Sequence, residues 1–283
     1  MKKVGHFFLA VLPLLGMLAV TFITSQVIQT VLSAKFIAQN GMVDQQTVID
    51  YLVNYLQGDN LMKVLGAGQL INFVIGILIL KLALKDKKLG NPFTSFPKAT
   101  FPGVILTAAG IELLLSLILI LASSIAPKAM EAYAEMISQS GMAGLTVIST
   151  IVTLIGAPVV EEIVFRGLTL KILENGGYKF LVANAIQALL FGIAHLNLVQ
   201  GLYAFALGFI LGLIFKKVNS LWASILAHLT FNFFGTYGSK FFYGSTEEIT
   251  ALTIILPLVV GAVFTVAGVF LLKTKKEEVS EVA

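Results

Sequence analysis

Eight apolar runs, at roughly 7–31, 64–84, 103–124, 145–170, 180–196, 199–215, 221–237 and 250–272, divide the chain. Each approaches the length of about 20 residues that a helix needs to cross a bilayer. The runs are too long for strands and do not alternate polar with apolar. In lipid, only a helix satisfies its backbone hydrogen bonds within one segment. The expected fold is therefore all-α: a polytopic membrane protein with about eight transmembrane helices. Charged residues make up only 12% of the 283 positions, whereas a soluble domain carries about a quarter.

Lysines orient the runs. "MKK", "KLALKDKK", "KILENGGYK", "FKK" and "KTKK" fall at alternate ends of successive segments, while the intervening loops carry few lysines. By the positive-inside rule both termini are cytoplasmic, and eight spans close that topology. The first run follows "MKK" but is longer than a signal-peptide core, so it reads as a retained anchor. Residues 1–272 then form a single transmembrane domain, followed by a short charged, disordered tail at 273–283. The loop from Ala34 to Asn60 has room for a short amphipathic helix, and Trp222, the one tryptophan, fits an interfacial anchor. The absence of cysteine removes disulfides and thiol nucleophiles.

Against this background "GAPVVEEIVFRG", residues 156–167, stands out. It sets two carboxylates and the chain's one arginine inside an apolar run. A charge at the centre of a membrane helix costs about 2.5–3.5 kcal/mol on insertion scales, so such groups are rare and functional by default. The ionisable groups inside the runs are Glu112, Glu161, Glu162, Arg166, His195 and His228, and Asn232 adds an amide. Neighbours on a helix point about 100° apart, so Glu161 and Glu162 cannot share a face. Glu162 and Arg166 are spaced i,i+4, the order in which an acid and a base meet best. The division is thus a structural pair, Glu162–Arg166, with Glu161 left for chemistry. Pro158 can kink the helix just before Glu161. His228 and Asn232, also i,i+4, share one face. Glu112 stands outside any motif and reads as structural, a candidate partner for Arg166. His195 raises a difficulty of depth, since it lies about 16 residues, or ~24 Å, beyond Lys179. It meets the other groups only if its segment starts outside the membrane, tilts, or ends in a loop that dips inward.

"EEIVFR", "FGIAH" and "HLTFN", in this order on successive late helices, resemble the three motifs of the CAAX protease and bacteriocin-processing family, whose eukaryotic relatives are the type II CAAX prenyl endopeptidases. The resemblance covers about residues 140–240, which would be the catalytic half. It implies an eight-helix intramembrane endopeptidase in which Glu161 and His195 activate water, His228 and Asn232 stabilise the oxyanion, and Glu162 and Arg166 support the site. The chemistry agrees: peptide hydrolysis needs a base and donors for a tetrahedral oxyanion.

Glu161, His195 and His228 are also a plausible zinc set. An Asn amide is a poor zinc ligand and no Cys or Asp assists, so the preferred expectation is a metal-free glutamate mechanism with no cofactor, zinc remaining the alternative. Expected partners are a peptide or membrane-protein substrate and the lipid bilayer, with no nucleic acid. The lysine-rich, cysteine-free chain looks bacterial. The competing reading is a non-catalytic membrane protein that confers immunity or scaffolds by binding a bacteriocin or partner. A transporter is disfavoured because no paired broken helices in matching halves are visible.

Overall fold

The computed structural model describes residues 2–85, 91–140, 142, 146–238 and 250–273. Nearly the whole of the expected tail, from residue 274 onward, and part of the lysine cluster at 85–88 lie outside the described residues. Among the described residues every regular element is helical. Among the described residues six helices are long and apolar enough to cross a membrane: α1 (Lys2–Asn40), α3 (Gly58–Lys85), α4 (Phe101–Ile125), α6 (Val147–Asn175), α8 (Leu198–Val218) and α10 (Ala251–Leu271). The other two apolar runs are helical but shorter, α7 (Phe180–Ala194) and α9 (Leu221–Phe233), the latter continued by a π-helical turn at Phe234–Gly238. At 1.5 Å per residue, the 15 residues of α7 extend only about 22 Å. Both short helices belong to the half of the chain that carries the polar motifs.

Two amphipathic helices lie outside the runs. The expected one is α2 (Gln45–Tyr55), capped by Asp44, whose side chain accepts from the Thr47 amide at 3.0 Å and hydroxyl at 2.7 Å. Those bonds hold the Asp44 carboxyl below its ordinary pKa. The second, α5 (Pro127–Ser140), follows α4 directly.

Helix packing rests on small residues, as it must where lipid tails are as apolar as the side chains. α4 and α10 run antiparallel with Gly110 against Gly261 and Gly103 against Gly268. A Cβ placed on Gly110 would lie 2.5 Å from Thr265 Oγ1 and 2.6 Å from the Gly261 carbonyl oxygen. Gly110→Leu is therefore expected to force the pair apart and to lower the thermal midpoint in detergent, at a cost of about 1–3 kcal/mol. An unchanged melting curve would show that α4 and α10 are not packed this way. α7 and α8 close on Gly192 and Gly201 in the same manner. Between them Asn184 Nδ2 donates to the Phe209 carbonyl at 2.9 Å and Gln187 Nε2 to the Gly208 carbonyl at 2.9 Å.

Candidate active site

The site helix α6 is not uniformly α-helical. Ile151–Gly156 and Ile163–Leu170 are π-helical, and the α-helical turn Ala157–Glu162 between them carries both glutamates. Pro158 has no amide hydrogen, so a normal i→i−4 bond to Leu154 is unavailable. The amide of Ala157 bonds instead five residues back, to the Val152 carbonyl. The expected disturbance beside Glu161 is thus a change of helical pitch. Such π segments recur at functional sites.

The two glutamates part as their helical phase requires. Glu162 and Arg166 are fully buried and joined by a 2.7 Å bond from Arg166 Nη1 to Glu162 Oε1. The same Oε1 lies 2.9 Å from His228 Nδ1, and Glu162 Oε2 accepts from Ser224 Oγ. An ionised carboxylate only accepts, so Nδ1 is the donor in the histidine contact. Arg166 Nη2 donates to the Gly208 carbonyl of α8 at 2.8 Å, and the guanidinium carbon lies 4.9 Å from the centre of the Phe191 ring. The pair thereby ties α6 to α7, α8 and α9. The expected link from Arg166 to Glu112 is not formed. Glu112 is buried in α4, where its Oε1 accepts from Ser116 one turn on, at 2.5 Å. Arg166 already has a carboxylate on its own helix, at the spacing that needs no second helix.

Glu161 remains 21% exposed and places Oε2 3.6 Å from His228 Nε2. The His228 ring therefore stands between the two glutamates, one nitrogen toward each. Asn232, one turn further along α9, donates from Nδ2 to the Thr153 carbonyl in the first π segment at 2.9 Å. Its amide has a second N–H to offer.

His195 caps the C-terminal end of α7, with Nδ1 2.8 Å from the Phe191 carbonyl oxygen. A carbonyl only accepts, so Nδ1 carries the proton and Nε2 the lone pair in the neutral ring. The Phe191 ring has His195 edge-on at 4.9 Å and His228 edge-on at 5.7 Å. Because one ring touches both imidazoles, α7 ends at the level of the site. His195 thus reaches the other groups although α7 rises about 22 Å from Lys179.

Phe191 is thus the hub on which Phe165, Arg166, His195 and His228 converge. Ser224 was missed in the sequence, although a signal was present: Ser224, His228 and Asn232 repeat at i, i+4, i+8 on α9. The Gly208 carbonyl had no such signal, because a backbone group is invisible to residue type. Among the described residues no three His, Asp or Glu side chains gather into a group that could hold a metal ion. An apolar cleft of about 450 Å³ between α1 and α3 lies against Val164 and Leu168, on a different face of α6 from the ion pair.

Comparison with known families falls on the same part of the chain. Residues 143–234 match the family described as type II CAAX prenyl endopeptidase Rce1-like. Over 87 residues the chain is 36% identical to the protein named "Putative membrane peptidase YdiL" from Bacillus subtilis. That match covers 30% of this chain and 34% of YdiL, so the chain spans about a third of the length of this curated relative. No solved structure matches the chain. The segment matched by the family contains Glu161, Glu162, Arg166, His195, His228 and Asn232 together, and over it the chain is similar to the type II CAAX prenyl endopeptidases.

Proposed function

We propose that this protein is an intramembrane endopeptidase that hydrolyses peptide bonds of a membrane-associated peptide or protein. The observation that carries the reading is the pairing of a partly exposed carboxylate, Glu161, with His228 Nε2 at 3.6 Å, while a buried ion pair fixes the other face of the same ring. A scaffold needs neither a partly exposed carboxylate inside the bundle nor an imidazole set between two glutamates.

In this reading water lies between Glu161 and the Nε2 lone pair of His195. As its oxygen attacks the scissile carbonyl carbon, Glu161 takes one of its protons. The tetrahedral oxyanion accepts hydrogen bonds from Asn232 Nδ2, through its second N–H, and from a protonated His228 Nε2. Collapse breaks the C–N bond, and the proton held by Glu161 passes to the leaving amine. Glu162 and Arg166 orient His228 and touch no substrate. Ser224 completes the acceptor set of Glu162. Donors aimed in advance at a developing oxyanion supply much of hydrolytic catalysis, and losing one costs about 10²–10³ in turnover.

Comparative peptidomics of cells carrying the wild type or Glu161→Gln tests the proposal. Peptides present with the wild type and lost in the variant support it, and identical peptidomes refute it.

The mechanism needs no metal. Purified protein is expected to hold well under one zinc per chain and to keep its activity after exhaustive chelation. Activity lost on chelation and regained with added zinc would instead make Glu161, His195 and His228 a zinc set, with metal content falling in His195→Ala and His228→Ala.

A further inference from the structure

The polar groups around Glu161 are distributed unevenly along the helices. Toward the lysine-rich end the site is closed. All eight residues Ile163–Leu170 are buried, and below the ion pair Leu170, Leu173 and Leu221 are each 0% exposed. Phe215 and Ile225 fill the space between them and are buried as well. Apolar packing of this kind leaves no room for water or a peptide.

Toward the other end the polar groups continue in steps. From Glu161 and His228 the next pair is Thr153 with Asn232, and one turn beyond it Thr150 Oγ1 and Tyr237 Oη meet at 2.7 Å. α6 and α9 run antiparallel, so these pairs climb in one direction, away from Leu173 and Leu221. On α8, Tyr203 lies five residues beyond Gly208 toward the same end. Its hydroxyl meets that of Tyr133, from α5, at 3.2 Å. All of these side chains except those of Glu162 and His228 are only partly buried. At the same end a cleft of about 830 Å³ opens between α1, α2, α3 and α5, with Gln29, Glu135 and Gln139 in its wall.

That end is the lysine-poor one. Of the eighteen lysines only Lys35, Lys63, Lys128 and Lys240 belong to it by sequence position. The positive-inside rule places the lysine-rich end in the cytoplasm. We infer that the site opens to the extracytoplasmic face along the Asn232–Thr153 and Tyr237–Thr150 steps, beneath α5, and that its substrate is a polypeptide segment presented at that face. Exported peptides and the outer segments of membrane proteins satisfy this geometry. A cytoplasmic C-terminal tail does not, because the buried apolar layer stands between it and Glu161.

The inference rests on the proposed site, but its test does not require proteolysis. The chain has no cysteine, so single cysteines report without background. Thr150→Cys and Thr153→Cys probe the path, Lys128→Cys marks the lysine-poor surface and Lys179→Cys the lysine-rich surface. Intact cells expressing the full chain are treated with a charged, membrane-impermeant methanethiosulfonate. Thr150→Cys, Thr153→Cys and Lys128→Cys are expected to label, whereas Lys179→Cys labels only after permeabilisation. Labelling of Lys179→Cys in intact cells overturns the orientation. Path cysteines that stay unlabelled, or react only together with Lys179→Cys, overturn the route. The expected pattern in a chain without peptidase activity would refute the enzymatic reading alone.

Discussion

Glu161→Gln is expected to yield a folded, membrane-inserted protein that cleaves its substrate about 10²–10⁴-fold more slowly than the wild type, the usual loss for a general base. The substitution is nearly isosteric, and it spares the contacts that hold the helices. Glu161 makes no bond to Arg166, and its side chain keeps 21% of its surface open. Its adjacent twin provides the control within the same turn. Glu162 accepts from Arg166, His228 and Ser224, so its replacement damages the fold first. A cleavage rate measured beside a thermal melt separates the two cases. Wild-type cleavage by Glu161→Gln would remove Glu161 from the chemistry, and so would activity that falls only in step with the midpoint. His195→Ala is expected to resemble Glu161→Gln, because among the described residues the His195 side chain hydrogen-bonds to a carbonyl of its own helix.

The second large effect concerns stability. Removing one partner of a buried ion pair costs about 3–5 kcal/mol, since the other charge is left stranded without water. Arg166→Gln leaves the Glu162 carboxylate with a hydroxyl and one imidazole N–H, while Glu162→Gln leaves a guanidinium with a carbonyl and an aromatic face. Both single variants are expected to lose thermal stability and express poorly. Glu162→Gln combined with Arg166→Gln removes both charges and should recover part of the loss, a coupling that a double-mutant cycle measures directly. A double variant worse than the sum of the singles would rule out direct pairing.

Much of this was legible before any coordinates. Eight helical segments follow from run length, and the separation of Glu161 from Glu162 follows from 100° per residue. The partnership of Glu162 with Arg166 follows from their spacing. What escaped was of two kinds. Some groups are backbone, such as the carbonyls of Gly208 and Thr153, and residue types do not announce them. Others depend on how helices sit against one another: the Phe191 ring of α7 meets both His195 and His228, which the length of the apolar run does not announce. The assignment of Glu112 to Arg166 failed because composition counts charges without knowing that a serine one turn away suffices. The direction of the polar path was hidden for a similar reason, since Thr150, Thr153 and Tyr237 are ordinary in membrane helices until they are seen to align.

The two π segments of α6 bear on how this protein can change over time. A π turn is a helix holding one residue more than an α-helical turn requires. Deleting a residue between Ile151 and Gly156 while the π turn is kept would rotate everything before it by about 100° relative to everything after. Thr150 and Tyr237 would then part, although every side chain named in the site survived. A deletion between Ile163 and Leu170 would instead turn Leu170 and Leu173 out of the apolar layer. Within this helix the number of residues is as tightly constrained as their chemistry. Lineages of the protein should drift by substitution across 151–170 while gaps collect in the connections outside it.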